Sequence, residues 1–329
     1  MKALKRLLVF SDNCPARELL DIPHPGIEVT VVERGEREQL LKLLPTANAY
    51  IASLRIPVDA ALLALAPRLS LVGTNSTGTD HLDLTRLHER GITVLSIKDD
   101  RELLDEITST AELAFGLVLT CARHLPECFQ ASREGRWERH RLAGRQLSGK
   151  TLGIIGCGRL GRMMAEYGKA FRMRVIASDP RARGVQPWVR LVGLDELLGE
   201  SDFVTLHVHL SDETRGILGA RELALMNTGA CLINTSRGGL IDEAALIREM
   251  EGGRIAAAGL DVIDGEWLED KFNHPLIAYS RRNPRLYITP HVGGTCPEAG
   301  RLTARHMFAK VVAALSNPVA PVADVPPKV

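Results

Sequence analysis

Short apolar runs alternate with amphipathic stretches from the start of the chain. Residues 7–11, 27–32, 50–53, 69–74 and 92–96 form apolar runs of strand length. Between them, residues 16–20, 36–44, 59–66 and 82–90 space their apolar positions as a helix does. A parallel strand pair needs a crossover long enough to be a helix, so this alternation predicts a parallel sheet with helices on both faces. A long helical pattern over 101–123 follows, and then a polar, arginine-rich stretch, 132–145, without a clear period. A second series begins after it. Its predicted strands are 151–155, 174–178, 203–207, 230–234, 256–261 and 286–288, with helices at 160–171 and 242–251, the latter stopped by Gly252-Gly253. A last helix is predicted from Thr295, where Thr295-Cys-Pro-Glu298 fits a capping box, to about Ser316. The proline-rich stretch 317–329 is expected to be extended. The fold class predicted is α/β, with two doubly wound parallel-sheet units.

Length and charge narrow the function classes. The 329 residues suffice for two ordinary domains. A net charge of +1 supplies no field for nucleic acid or an anionic membrane, so neither is expected as a partner. No apolar stretch approaches the length of a bilayer span, and the longest, around 113–122, reads as a core helix. Met1-Lys-Ala-Leu-Lys-Arg looks like the charged start of a signal peptide, but the apolar run 7–10 is too short for its hydrophobic region and reads as a first strand. The 6 cysteines form no Cys-x-x-Cys pair and have no metal-ligand spacing with histidine. Reduced thiols in a cytoplasmic protein without a metal are expected.

The strongest local motif is Gly153-Ile-Ile-Gly156-Cys-Gly158-Arg-Leu-Gly161, between a predicted strand and a predicted helix. Gly156 permits the tight turn, Gly158 lets backbone approach a pyrophosphate, and Gly161 lets the helix pack closely on the strand. The helix N-terminus then offers free N–H groups to the anion. Asp179 ends the next strand, about 20 residues on, where a ribose-binding acid belongs. It favours NAD over NADP, although Arg181 and Arg183 follow closely. Glycine-rich turns also occur for packing alone; the flanking strand and helix and the placed acid favour a dinucleotide.

Three further segments stand at predicted strand ends, where open α/β sheets bind ligands. Asn234-Thr-Ser-Arg237 offers a guanidinium that can fork onto a carboxylate. Gly259-Leu-Asp261-Val-Ile-Asp264-Gly-Glu266 offers carboxylates, of which Glu266 is free to reach a cleft. Ile288-Thr-Pro-His291-Val-Gly-Gly294 offers an imidazole beside glycines that allow close approach of a ligand. Singly, each reads as well as a surface arginine, a solvated acidic loop and a structural histidine. Together with a dinucleotide site they make a coherent dehydrogenase set. Reducing a 2-keto acid requires a hydride, a proton for the oxygen and a cation for the carboxylate. His291 can give the proton, Glu266 can favour the imidazolium, and Arg237 can polarise the keto group and anchor the acid.

This arrangement resembles the D-isomer-specific 2-hydroxyacid dehydrogenase family, the group containing phosphoglycerate, glycerate, formate and erythronate-phosphate dehydrogenases. The resemblance covers nearly the whole chain and includes Val72-Gly-Thr-Asn-Ser-Thr-Gly78-Thr-Asp80-His-Leu-Asp83, Trp137 and Leu147-Ser-Gly-Lys-Thr-Leu-Gly153. It implies a flavodoxin-like substrate domain, 1–101 plus 293–329, and an inserted Rossmann NAD-binding domain, 102–292, with a ligand-closing cleft. Arg237, Glu266 and His291 match the catalytic positions. Arg159 and Leu160 match the pair at the pyrophosphate, Asp179 the ribose acid, and Thr235, Ser236 and Asp261 the nicotinamide side; His207, Gly293 and Gly294 join the cofactor-binding set. The backbone of Thr77 and Gly78 matches the loop that binds the substrate carboxylate. Arg55 falls near a phosphate-binding arginine of the phosphoglycerate enzymes, and a solvated loop arginine is an equal reading. A homodimer through the NAD domains is also implied.

Three positions depart from the family pattern. Glu106 stands where asparagine is common, Trp267 where proline usually follows the catalytic glutamate, and His209 where proline is frequent. They bear on substrate identity more than on reaction type, and the substrate's side-chain pocket is expected from loops around Arg55, Ser76 and Trp267. Two other functions compete: an NAD(H)-binding regulatory scaffold of the corepressor type, and a dehydrogenase of formate or phosphite.

Overall fold

A computed structural model describes residues 4–11, 14–33, 37–267 and 270–316. The extended stretch expected at 317–329 and the start of the chain, 1–3, lie outside the described residues. The chain forms two compact units, one of residues 1–107 with 295–329 and one of residues 108–294.

The first unit holds β1 (Lys5–Ser11), β2 (Ile27–Glu33), β3 (Ala49–Ala52), β4 (Leu71–Thr74) and β5 (Thr93–Ser96), all parallel in the order β2-β1-β3-β4-β5. Successive side chains of a strand point to opposite faces. Leu7 and Val9 therefore join one core with Ile51, while Leu8 and Phe10 join the other with Tyr50. Burial on both faces is why these strands read as continuous apolar runs. The helix Pro297–Ser316 returns to this unit, where Met307, Phe308 and Val311 complete the first of those cores. Lys310 Nζ fixes it with bonds of 2.8 Å to both carboxylate oxygens of Asp100.

The second unit holds β6 (Thr151–Ile155), β7 (Arg174–Ser178), β8 (Arg190–Leu191), β9 (Phe203–Leu206), β10 (Ala230–Asn234), β11 (Ile255–Leu260) and β12 (Leu286–Ile288). The order is β12-β11-β10-β9-β6-β7-β8, every pair parallel. The chain runs outward from β6 through β7 to β8, then returns to β9 on the other side of β6. That reversal opens a crevice at the carboxyl ends of β6 and β9.

Three expectations need correction. The helix predicted over 101–123 is two helices, Arg101–Asp105 and Ser109–Arg123, interrupted at Glu106-Ile107-Thr108. The apolar period runs through the break, and Thr108 stands at the N-cap of the second helix, its hydroxyl donating to the Glu112 carboxylate rather than capping a backbone group. The helix Leu125–Arg133, for which the pattern gives no expectation, takes in the first two residues of the stretch read as irregular, 132–145. The last helix starts at Pro297 rather than Thr295.

Candidate active site

Because the second sheet is wholly parallel, the loops after its strands leave from one edge. Gly156 follows β6, Asp179 β7, His207 β9, Thr235 to Arg237 β10, Asp261 β11, and His291 β12. Residues scattered over more than a third of the sequence thus share one rim.

The glycine-rich turn shows what each glycine is for. Gly156 adopts φ +90°, and a Cβ there would lie 2.6 Å from the carbonyl oxygen of His207. At Gly161 a Cβ would lie 2.1 Å from the carbonyl oxygen of Gly156, so helix and strand pack backbone to backbone. Gly158 differs. Its φ of −72° suits any residue, and a Cβ would meet no described atom within 4 Å. The protein does not need that space, whereas an approaching phosphate does. Gly158 caps the helix Arg159–Ala170, so Arg159 and Leu160 supply its first N–H groups.

Asp179 is pinned across β6 and β7. Its Oδ2 accepts the Cys157 N–H at 2.9 Å and its Oδ1 the Arg181 N–H at 2.8 Å. The Arg181 guanidinium is paired at 2.9 Å with Glu213, both largely exposed. At the next strand ends, His207 Nδ1 and Thr235 Oγ1 are sealed from solvent without a hydrogen-bond partner among the described residues. His207 shares its other nitrogen with Thr205 Oγ1 at 2.8 Å, and burial pushes its pKa down to about 3, so the ring is neutral. Buried polar atoms are rarely left unpaired. Two beside an open phosphate cradle fit a polar ligand of dinucleotide type.

The sharpest pair is His291 with Glu266. Nδ1 of the imidazole lies 2.6 Å from Oε1 of the carboxylate, with side chains only 19% and 15% exposed. His291 has φ +53°, a left-handed conformation uncommon for a residue with a side chain. Asp261 holds it there. That residue is 1% exposed. Its carboxylate accepts the Thr289 hydroxyl at 2.6 Å and the N–H groups of Val292 and Gly293 at 2.8 Å each. Its carbonyl accepts the His291 N–H at 2.8 Å. Burial raises the Asp261 pKa above the ordinary carboxylate value, and these bonds pull the other way. Sequence reasoning placed Asp261 beside a nicotinamide and missed this bracing of the histidine turn.

Arg237 stands on the neighbouring loop. Asn234, fully buried, fixes that loop by donating Nδ2–H to the Arg237 carbonyl at 2.8 Å and accepting the Ser236 N–H at 2.9 Å. The Ser236 hydroxyl donates to the Leu206 carbonyl at 2.8 Å. At Gly238 a Cβ would lie 2.0 Å from the carbonyl carbon of Ile263, so the Arg237 loop rests directly on the loop that carries Glu266. The motif by itself assigns Asn234 no role; an amide at a strand end before Thr-Ser is the signal that marks it.

In the first unit, Arg55 and Thr77-Gly78 follow the neighbouring strands β3 and β4. Ser53 Oγ accepts the Arg55 N–H at 3.1 Å. Buried Thr74 shares hydrogen bonds with Ser76 at 3.0 Å and with His81 at 3.1 Å, and Ser76 donates to the Gly78 carbonyl at 2.5 Å. The loop is braced by side chains. A cavity of about 670 Å³, lined by Arg123, Arg145 and Arg172, opens at the opposite, amino-terminal edge of the second sheet. All 6 cysteines are free, and among the described residues no cluster of three His, Cys, Asp or Glu could hold a metal. No described helix is long and apolar enough to cross a membrane.

Comparison with known proteins agrees with this geometry. Residues 115–293 match the family model described as D-isomer specific 2-hydroxyacid dehydrogenase, NAD binding domain. The chain is 36% identical over 285 residues to a hydroxypyruvate reductase of Thermotoga maritima, covering 87% of this chain and 90% of that one. It is 36% identical over 277 residues to a D-3-phosphoglycerate dehydrogenase of Archaeoglobus fulgidus, covering 83% of this chain but only 50% of that longer one. A crystal structure of the D-lactate dehydrogenase of Aquifex aeolicus, complexed with NAD and lactic acid, superimposes with a TM-score of 0.79 at 27% identity, covering 94% of this chain and 96% of that one.

Proposed function

The chain belongs to the D-isomer specific 2-hydroxyacid dehydrogenases, NAD-dependent oxidoreductases that interconvert 2-hydroxy and 2-keto acids, and from that premise we propose that His291 is its acid and base. Bound nicotinamide supplies or takes the hydride. Glu266 accepts the Nδ1–H of His291, which leaves Nε2 to exchange a proton with the substrate oxygen. In reduction Nε2 protonates the oxygen that hydride arrival makes basic; in oxidation it removes the hydroxyl proton. The Glu266 carboxylate stabilises the positive charge the ring carries with its second proton. Arg237 anchors the substrate carboxylate and polarises the keto group.

The residues that would hold the cofactor lie along the rim of the second unit. Gly156, Gly158, Arg159, Leu160 and Gly161 receive the pyrophosphate and Asp179 the ribose. His207, Thr235, Ser236, Asp261, Gly293 and Gly294 surround the nicotinamide side. In the first unit, Arg55 and the backbone N–H groups of Thr77 and Gly78 are proposed as substrate-binding groups. The match to the Thermotoga maritima hydroxypyruvate reductase, which covers 90% of that relative, favours an unphosphorylated three-carbon acid such as hydroxypyruvate. Phe129 and Trp137, exposed by 60% and 85%, favour a homodimer formed through the second unit, since large apolar side chains on a surface mark contact sites. Free thiols favour a cytoplasmic location.

One observation carries the reading: the short Glu266–His291 hydrogen bond on the rim that bears the phosphate cradle. Loss of NADH absorbance is to be followed with glyoxylate, hydroxypyruvate and pyruvate, for the wild type and His291→Ala. Turnover that the variant loses supports the assignment. Tight NADH binding without turnover of any 2-keto acid would overturn it in favour of a scaffold, and formate oxidation retained by the variant would favour the formate reading.

A further inference from the structure

Trp267 has no place in the chemistry above. Its indole lies 5.7 Å from the His291 ring, centroid to centroid, tilted by 34°. It is 39% exposed and belongs to none of the hydrophobic cores among the described residues. A large apolar side chain is thus kept out of the core and laid against an imidazole, at a separation typical of offset ring contacts.

We propose that Trp267 is a specificity-determining residue, the wall that limits the size of the substrate's side chain. The proposal rests on His291 being the acid and base. Glu266 occupies Nδ1, so the substrate oxygen must meet Nε2. The carbonyl carbon then bears two other groups. The carboxylate needs a cation and cannot lie dry against an indole, so it turns to Arg237. The remaining substituent is the one directed at Trp267. With an indole already filling the space beside the ring, hydrogen or a single small carbon group fits there, and a branched or aromatic group does not.

The test compares kcat/KM for glyoxylate, hydroxypyruvate, 4-methyl-2-oxopentanoate and phenylpyruvate in the wild type, Trp267→Ala and Trp267→Phe. NADH affinity in each protein checks that the cofactor unit is folded. One methylene in a fitted pocket changes specificity by roughly 10-fold or more, so the ratio of branched to small substrate is expected to rise at least about 10-fold in Trp267→Ala. Trp267→Phe should fall between the two. A purely structural role would lower every kcat/KM in proportion, and a ratio unmoved within about 2-fold overturns the wall while leaving the His291 reading standing. No turnover by any of the proteins overturns both.

Discussion

Replacing Glu266 by glutamine isolates the charge on one atom group. The amide is nearly the same size and can still accept the Nδ1–H of His291 through its oxygen. What disappears is the negative charge 2.6 Å from the ring. The two side chains are 15% and 19% exposed, so bulk water screens the pair only in part. A hydrogen bond to a charged group contributes about 1.5–3 kcal/mol, against about 1 for a neutral one. The difference, about 0.5–2 kcal/mol, is lost mainly where the ring is cationic, and about 1.4 kcal/mol is tenfold in rate. Glu266→Gln should therefore lower kcat for keto-acid reduction by more than about 2-fold and up to roughly 30-fold. Binding of NADH, measured by fluorescence titration, should not change, because Glu266 is not among the assigned cofactor contacts. Steady-state assays across a pH series would measure the loss. A kcat within about 2-fold of wild type would refute the reasoning, since the carboxylate would then do no more than hold the ring in place.

Gly158→Ala should leave thermal stability within about 0.5 kcal/mol of wild type, because the added carbon meets nothing and φ permits it, yet weaken NADH binding at least tenfold. Unchanged affinity would mean that no phosphate approaches there. Asp261→Asn turns an amide N–H₂ toward the Gly293 N–H or surrenders another acceptor, and should lower stability by about 1–3 kcal/mol together with kcat. A melting temperature and kcat equal to wild type would show that the turn needs no such brace. His207 has a folded pKa of about 3 against 6.5 for the free side chain. The unfolded chain takes up that proton first, so stability is full above pH 6.5 and falls as pH drops toward 3. His207→Asn should flatten that loss in melts between pH about 7 and about 4, and an unaltered acid slope would refute the burial argument.

How far the sequence could be read depended on the distance over which each feature is written. Strand runs such as 7–11 and 151–155 announce themselves because both faces are buried. Strand β8 has two exposed residues and no apolar run, so no pattern marks it. The helices Leu194–Glu200 and Pro275–Ser280 are too short to show a period. The phosphate cradle is local, and its glycine spacing survived intact into the structure. The catalytic turn is not local. Pro290-His291-Val292 alone says nothing of a carboxylate 25 residues away at Nδ1, a partner expected only from the strand-end segments taken together, nor of Asp261 gripping three groups between 28 and 32 residues away. A positive φ at His291 is invisible in a histidine, where a glycine would have advertised it. The bracing carboxylate is hidden for the same reason: Asp261 reads as one more acid in an acidic loop until the fold buries it. Acids on such loops therefore divide by burial rather than by identity. The fully buried one, Asp261, holds backbone, and the partly buried one, Glu266, is left to face the reacting histidine.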